Sequence, residues 1–592
     1  TSFGETDITT GVWKPKKFSG SYGTNGFYLN FSDNSAATAA AIGKDSSGNG
    51  NNWTPNNISV TSGATYDSMI DTPTPYDDGT VYGRGNYCVM PPMIGYSPYA
   101  GTTTFSNGNL TLSGSSHNSV GGLSSMPIPR TGKWYAECKL TASGGGDPPI
   151  GLFTMLNGQG TPTSYAWFRA NGAPAEYSGA VGSISNTGGT TFVVGDTVGI
   201  AVDNTGSGQI YFYTNGVLRA QGGAGCNTVD LFFHCQNNSP TFTQFDWNFG
   251  QRPFAYTPPS GFKALNTQNL PTPTIVKGNA WMDATTYTGN SSTQNITNSG
   301  SFKPDLVWIK SRSAAYGHGL FDSSRGVNKG LQSNNTNAEN TFNASVTAFN
   351  SDGFALGADA NLFVNESTKT FVGWQWKKGA TPGFDIVTYT GNGVAGRSVS
   401  HGLGVAPTFI IIKRRDVAAA WNIYTTVIDG SLDYFAFDTG AKLDSAQSVP
   451  TSSVFYVSNG TNVNANGSTY VAYCWADVSG FSKFGSYTGN GSADGPFVYC
   501  GFRPRYLLVK STSVGSNWLV YDTARSRFNM IYDVLQPNSN AVEITAADGI
   551  LMIDVLSNGF KLRTADTDSN GSARTFVYAA FAENPFKYAL AR

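Results

Sequence analysis

Charge is scarce in this chain. Asp, Glu, Lys and Arg make up only 13% of its 592 residues, about half of the roughly 25% found in an average globular protein. The 37 basic and 38 acidic side chains nearly cancel, to a formal −1, and no basic stripe or acidic tail breaks the balance. The electrostatic footprint of a nucleic-acid binder is therefore missing. Histidine is scarcer still, with four residues, none in an HExxH or triad-like setting. His117 lies in a Ser/Asn loop, His234 in LFFHCQ and His401 in SHGLG. The six cysteines, Cys88, Cys138, Cys226, Cys235, Cys474 and Cys500, contain no CxxC pair, so a zinc site has no framework. Cys138 and Cys474 alternate with polar positions in strand-like runs and read as reduced core residues. No run of about 18 apolar residues exists, which leaves no encoded membrane span. No pair of carboxylates stands out for glycoside hydrolysis, and Glu137, alternating within KWYAECKL, reads as a structural partner. The expectation is a protein with no catalytic residue, no cofactor and no metal.

Glycine is abundant, at 71 residues, and aromatics reach 13%. Polarity is carried by Ser, Thr and Asn, which favour turns and pleated surfaces over helices. Runs such as DLVWIK and TFIIIKRR are too regularly apolar for a disordered chain. The fold class is thus all-β, and the length predicts several domains.

YTGN occurs three times, at Tyr287, Tyr389 and Tyr487, about 100 residues apart. Other anchors keep the same spacing, as a repeated module requires. FKPDLVWIK, VAPTFIIIK and FRPRYLLVK align Pro304, Pro407 and Pro504 at the entrance of a strand ending in lysine, a place where a residue without an N–H is tolerated. Eight residues beyond each lysine stand His318, Trp421 and Trp518, so His318 fills a tryptophan position and is expected to pack or hydrogen-bond. TFVGWQW, TYVAYCW and TFVYAAF close each unit as half-buried strands. The three modules, 278–380, 381–478 and 479–592, are each long enough to bury a core and are expected as tandem antiparallel sandwiches, a chain of beads. Tyr287, Tyr389 and Tyr487 should pack, while Gly289, Gly391 and Gly489 turn the chain with the asparagine that follows. DTDSNG (566–571) matches the first half of a calcium loop but has Val577 where the bidentate Glu belongs, and reads as a polar hairpin.

Residues 131–268 carry a different series: TGKWYAECKL, then FVVGDTVGIAVDNTGSGQIYFYTNGVL with its Asn215-Gly216 hairpin signal, then TFTQFDWNFGQRPF. This series resembles the SPRY/B30.2 family and implies a concanavalin-like β-sandwich. Residues 1–130 read as β-rich, packed on or completing that sandwich, with GFYLNFSD supplying an apolar strand and DSSGNGNNW a surface loop.

WKPKKFSGSYGTNGFYLNFSD, DSSGNGNNWTPNNISVT, the WNFGQRPFAYTPPSGFKALN exit and the terminal FAENPFKYALAR together resemble large virion proteins of tailed bacteriophages. The resemblance implies a tail fibre or similar appendage on the virion, attached to other virion proteins, homo-oligomeric with a trimer favoured, and contacting a glycan or protein of the bacterial surface. Alternatives are a capsid or tail decoration or fibre-assembly protein, a polysaccharide depolymerase and a bacterial adhesin. Sandwich loops offer aromatic and amide groups for such a ligand. In SYAWFRANGAPAEY the candidates are Trp167, Arg169, Asn171 and Tyr177.

Overall fold

The computed structural model describes residues 2–6, 13–63, 65–72, 85–92, 103–115, 121–154, 164–170, 176–187, 192–237, 241–359, 361, 363–513, 515–545 and 549–588. It is all-β, built from antiparallel sheets, and divides into two compact units, Thr1–Thr272 and Pro273–Arg592. Asn171 and His117 lie outside the described residues.

The first unit is a two-sheet sandwich. One sheet runs in the order Ile184–Asn186, Val217–Gly222, Gln209–Thr214, Thr197–Asp203, Lys133–Ser143, Thr243–Asn248, Thr111–Gly114, Thr104–Ser106. The other runs Gly121–Pro127, Leu231–Gln236, Pro149–Thr154, Tyr165–Arg169, Glu176–Ser178. Strands from before residue 130 therefore enter both sheets. The inner faces meet through Phe168 against Phe212 at 5.4 Å and Phe233 against Trp247 at 5.9 Å. The Asn215-Gly216 hairpin forms with both residues at positive φ, 49° and 79°, the geometry its two-residue loop demands.

Strand Thr197–Asp203 is buried on both faces along nearly its whole length, because Phe254 and Phe262 of the exit segment fold over Tyr135, Ala201, Tyr211 and Tyr213. Glu137 fixes that segment. It is 3% exposed and accepts from the backbone N–H of Ala255 at 2.8 Å and Tyr256 at 2.9 Å, and from the Tyr135 hydroxyl at 3.1 Å. It is the structural partner that its place in the strand implied.

GFYLNFSD does not form the expected strand. Only Leu29 bridges, to Asp45, because Asn30 and Asp33 turn their side chains onto the backbone N–H of Ser32 and Ser35, both at 3.1 Å, a local alternative to ladder pairing. DSSGNGNNW is a loop gathered around Asp45, which accepts from the N–H of Tyr28, Ser47 and Asn51.

In the second unit the three repeats build sheets of the same order. Module 1 has Met282–Thr288, Thr370–Trp376, Leu306–Ser311, Gly319–Asp322, Lys329–Leu331, Asn340–Thr341. Module 2 has Phe384–Thr390, Thr469–Trp475, Phe409–Arg414, Asn422–Thr425, Asp433–Phe435, Leu443–Asp444, and module 3 has Ser482–Thr488, Thr575–Pro585, Phe502–Ser511, Leu519–Asp522. A second, smaller sheet covers one face of each. The other faces do not meet solvent as beads would. They converge on one core holding Trp308, Trp374 and Trp376 of module 1, Phe409 and Trp475 of module 2, and Tyr506 and Phe581 of module 3. Trp376 touches Trp475, Tyr506 and Phe581, at 6.2, 5.3 and 5.8 Å.

The closing strands, expected to be half-buried, are consequently buried on both sides. The sister modules cover the face that the sequence pattern left open, just as in any sheet covered on both faces. Pro304 and Pro407 stand just before their strands, while Pro504 lies at a register shift within its own, where a missing N–H is accommodated.

Candidate functional site

The sequence singled out two kinds of residue, those that repeat and those in a variable loop. The repeating set forms a clasp. The hydroxyls of Tyr287, Tyr389 and Tyr487 donate to the carbonyls of Val364, Val463 and Ser569 at 2.7, 2.6 and 2.6 Å. Each YTGN asparagine donates its N–H to the side-chain oxygen of a second asparagine: Asn290 to Asn365, Asn392 to Asn464, Asn490 to Asn570. The second amide returns a bond to the first, at 3.3, 3.1 and 3.0 Å.

The glycines serve close approach, and none of the three has the positive φ of a left-handed turn. A Cβ would lie 2.1 Å from the Glu366 carbonyl at Gly289, 2.0 Å from that of Ala465 at Gly391 and 2.4 Å from that of Gly571 at Gly489. Asn365, Asn464 and Asn570 escaped the sequence reading although each stands five residues before the threonine that opens a closing strand. Asn570 is the asparagine of DTDSNG, and its amide is committed to Asn490, Ser492 and Thr564. Among the described residues no group of three or more His, Cys, Asp or Glu is placed to hold a metal.

The modules lock head to tail. The Trp421 indole donates to the carbonyl of Gln332 at 3.0 Å, carrying module 2 onto module 1. His318 meets that of Gln536 at 3.0 Å, module 1 onto module 3. Trp518 donates to that of Ala436 at 2.8 Å, module 3 onto module 2, and the circuit closes. His318 Nδ1 accepts from the Trp308 indole at 2.9 Å, so Nε2 is its donor. Burial, with the charges of Lys310 and Arg525, holds its pKa well below the ordinary value.

Two of the three seams add ions. Arg415 grips Glu339 at 2.9 and 3.0 Å, and Arg312 grips Glu543 at 2.7 to 3.0 Å. On the same seams Tyr473 donates to Asp322 and the Trp374 indole to Asp522, both at 2.8 Å. The third seam replaces these groups with Thr512, Lys442, Ala579 and Thr425, and of their bonds retains the backbone one from Lys442 to Thr512 at 3.0 Å. Donor and acceptor are present together or absent together. Lys310, Lys413 and Lys510, the lysines that end the proline-led strands, are fully buried with ammonium groups on backbone carbonyls. Burial lowers each to about 8.

The variable-loop set is only partly brought together. Trp167 and Arg169 share one face of strand Tyr165–Arg169. Tyr177 pairs in register with Ala166 and so belongs to the opposite face, where it is 45% exposed. The half-buried Trp167 ring lies 4.6 Å from Tyr165 and parallel to Phe153 at 6.1 Å, with the Arg169 guanidinium 5.5 Å from its centroid. Arg169 pairs with Asp147 at 3.0 Å, a partner that SGGGDPP gave no means of anticipating. The Trp167 indole N–H is buried with no hydrogen-bond partner, an uncommon condition for a donor. His234, stacked on Phe153 at 4.6 Å, is fully buried and lowered to about 4 by that burial. The arrangement leaves part of the Trp167 ring open beside the Arg169–Asp147 pair, which suits a flat, partly apolar group.

Comparison with known proteins adds the following. No curated protein matches the chain. A human SPRY domain structure aligns at 17% identity over 25% of this chain and 94% of its own, with a TM-score of 0.19. A structure described as an endo-acting O-glycanase of human gut microbiota aligns at 15% identity over 29% and 94%, with a TM-score of 0.18. Residues 277–585 match the model of a domain of unknown function, DUF7483. That span is the three-module ring and more than half of the chain, and the protein belongs to the DUF7483 family.

Proposed function

We propose that the protein is a non-catalytic virion component of a tailed bacteriophage, a tail fibre or similar appendage whose sandwich attaches to a glycan of the bacterial surface. The phage assignment rests on the resemblance of its terminal and exit motifs. The observation that carries attachment is Trp167, a half-buried ring beside a charge-neutral Arg169–Asp147 pair. Aromatic stacking plus directed hydrogen bonds is the chemistry of sugar recognition. The buried groups of the ring support the same reading, because Lys310, Lys413 and His318 bond backbone carbonyls of a neighbouring module and Lys510 bonds one of its own.

The test is competition. Purified full chain should bind host cells and block infection. Trp167→Ala should weaken binding at least about tenfold, the loss of one well-made contact, while Tyr177→Ala, on the other face, leaves it intact. Unchanged binding by Trp167→Ala at an unchanged unfolding midpoint overturns the site. A wild-type chain that neither binds cells nor blocks infection overturns attachment and leaves shell or fibre decoration as the role, and antibody labelling of intact particles locates it.

A further inference from the structure

The three modules are controls for one another. In module 1 Leu331, which follows Asp322 by nine residues, pairs with Leu320. In module 3 Leu535, which follows Asp522 by thirteen, pairs with Val520. Beyond these leucines the modules run in step, Gln332 with Gln536 and Glu339 with Glu543. Module 3 therefore carries four extra residues after Arg525, and they project. Phe528 is 81% exposed, Met530 42% and Tyr532 38%.

The insertion is firmly held. Ile531 between them is buried and exchanges backbone bonds with Ile553 at 2.8 and 3.0 Å. The Asn529 amide donates to the Val555 carbonyl at 3.0 Å and accepts from its N–H at 2.9 Å, and Ser526 donates to Asp533 at 2.8 Å. The corresponding stretch of module 1, GVNKG, turns outward one small apolar side chain, Val327, and no aromatic, and that of module 2, DGSLDY, buries its Leu432. Ring packing thus makes no demand for outward aromatic or methionine side chains here. A large apolar group presented to water on an ordered backbone is what an interface keeps ready, since little freedom is lost on binding.

The chemistry narrows the partner. Aromatic residues, Met and Arg are the side chains enriched at the centre of protein interfaces. Asp533 is occupied by Ser526 and lies 3.7 Å from Arg312, and Asp554 lies 3.3 Å from Arg563, whereas Arg527 makes no ion pair with a described residue. A sugar would need amide or carboxylate groups, and the Asn529 amide is taken by Val555. A lipid surface would need a cluster of cations, and Arg527 stands without one. We propose that Arg527, Phe528, Met530 and Tyr532 form a docking surface for a protein segment that presents an apolar side chain beside a carboxylate.

The test uses the full chain on an array of short synthetic peptides, each with a central Phe, Leu or Trp flanked by Glu or, in its counterpart, by Lys. Glu-flanked peptides should be retained at least about tenfold better than Lys-flanked ones. Phe528→Ser should lose about tenfold, and Arg527→Glu should lose the preference for acidic flanks, both at an unchanged unfolding midpoint. Equal retention by Phe528→Ser, no preference for acidic flanks, or binding of anionic phospholipid vesicles in place of peptides overturns the proposal. So does a wild-type chain that sediments as a dimer while Phe528→Ser sediments as a monomer, since a second copy then occupies the surface.

Discussion

Single residues of the ring are held to tolerances that a side-chain inventory does not reveal. Gly289, Gly391 and Gly489 each leave no room for a methyl group because the obstruction is a backbone carbonyl. Replacing any one by Ala should cost about 2–3 kcal/mol, the upper end for overpacking, read as a lower urea midpoint. The buried lysines set a pH dependence. Their folded value of about 8 lies below the roughly 10.4 of an exposed lysine, so the unfolded chain binds more protons between those limits and stability rises with pH there. Tyr287, Tyr389 and Tyr487, held by burial well above their ordinary value, reverse the slope above about pH 10, where unfolded tyrosines ionise. Urea midpoints across pH 7.5 to 10.5 should pass through a maximum. A flat or falling profile from pH 8 would refute the lysine assignment.

At the scale of paired strands, module 1 has exchanged the sizes of two neighbours. It sets Trp308 on the proline-led strand against His318, where modules 2 and 3 set Ile411 against Trp421 and Leu508 against Trp518. His318→Trp alone should overpack this seam, and Trp308→Ile with His318→Trp should recover the lost stability, the non-additivity expected of touching residues. The wild-type histidine, its folded pKa lowered, contributes stability that declines as pH falls below about 6.5, and the double variant should lose that part of the acid slope.

The sequence made the tryptophan position legible because aligned repeats compare a residue with its own counterparts. It also showed the strands and the 1–2–3 order of modules. It did not show that closing strands are covered twice, since alternation in TFVGWQW describes one sheet and says nothing of a sister module against its second face. Nor could Asp147 be paired with Arg169, or Tyr177 assigned its face, before the register of Glu176–Ser178 was known. In GFYLNFSD the aromatic content suits a strand, while Asn30 and Asp33 favour local turns that prevail.

At the scale of the molecule, the shared core makes the modules interdependent. Pro273–Arg592 should melt in one calorimetric transition, with van't Hoff and calorimetric enthalpies equal for that unit. Deleting residues 479–592 would bare Trp376 and Phe409 and remove the partners of Arg312 and Trp374. The truncated chain should aggregate or lose ring structure by near-ultraviolet circular dichroism, while the sandwich strands persist. Three independent transitions would mean beads after all. A ring of three identical chains repeats every substitution three times, so a new surface feature arrives in triplicate or not at all. Here each third is encoded separately, and a single seam has shed its ions while a single arc has gained Phe528. The geometry of a trimer is thereby released from the arithmetic of one, and each sector can diverge without carrying the other two along.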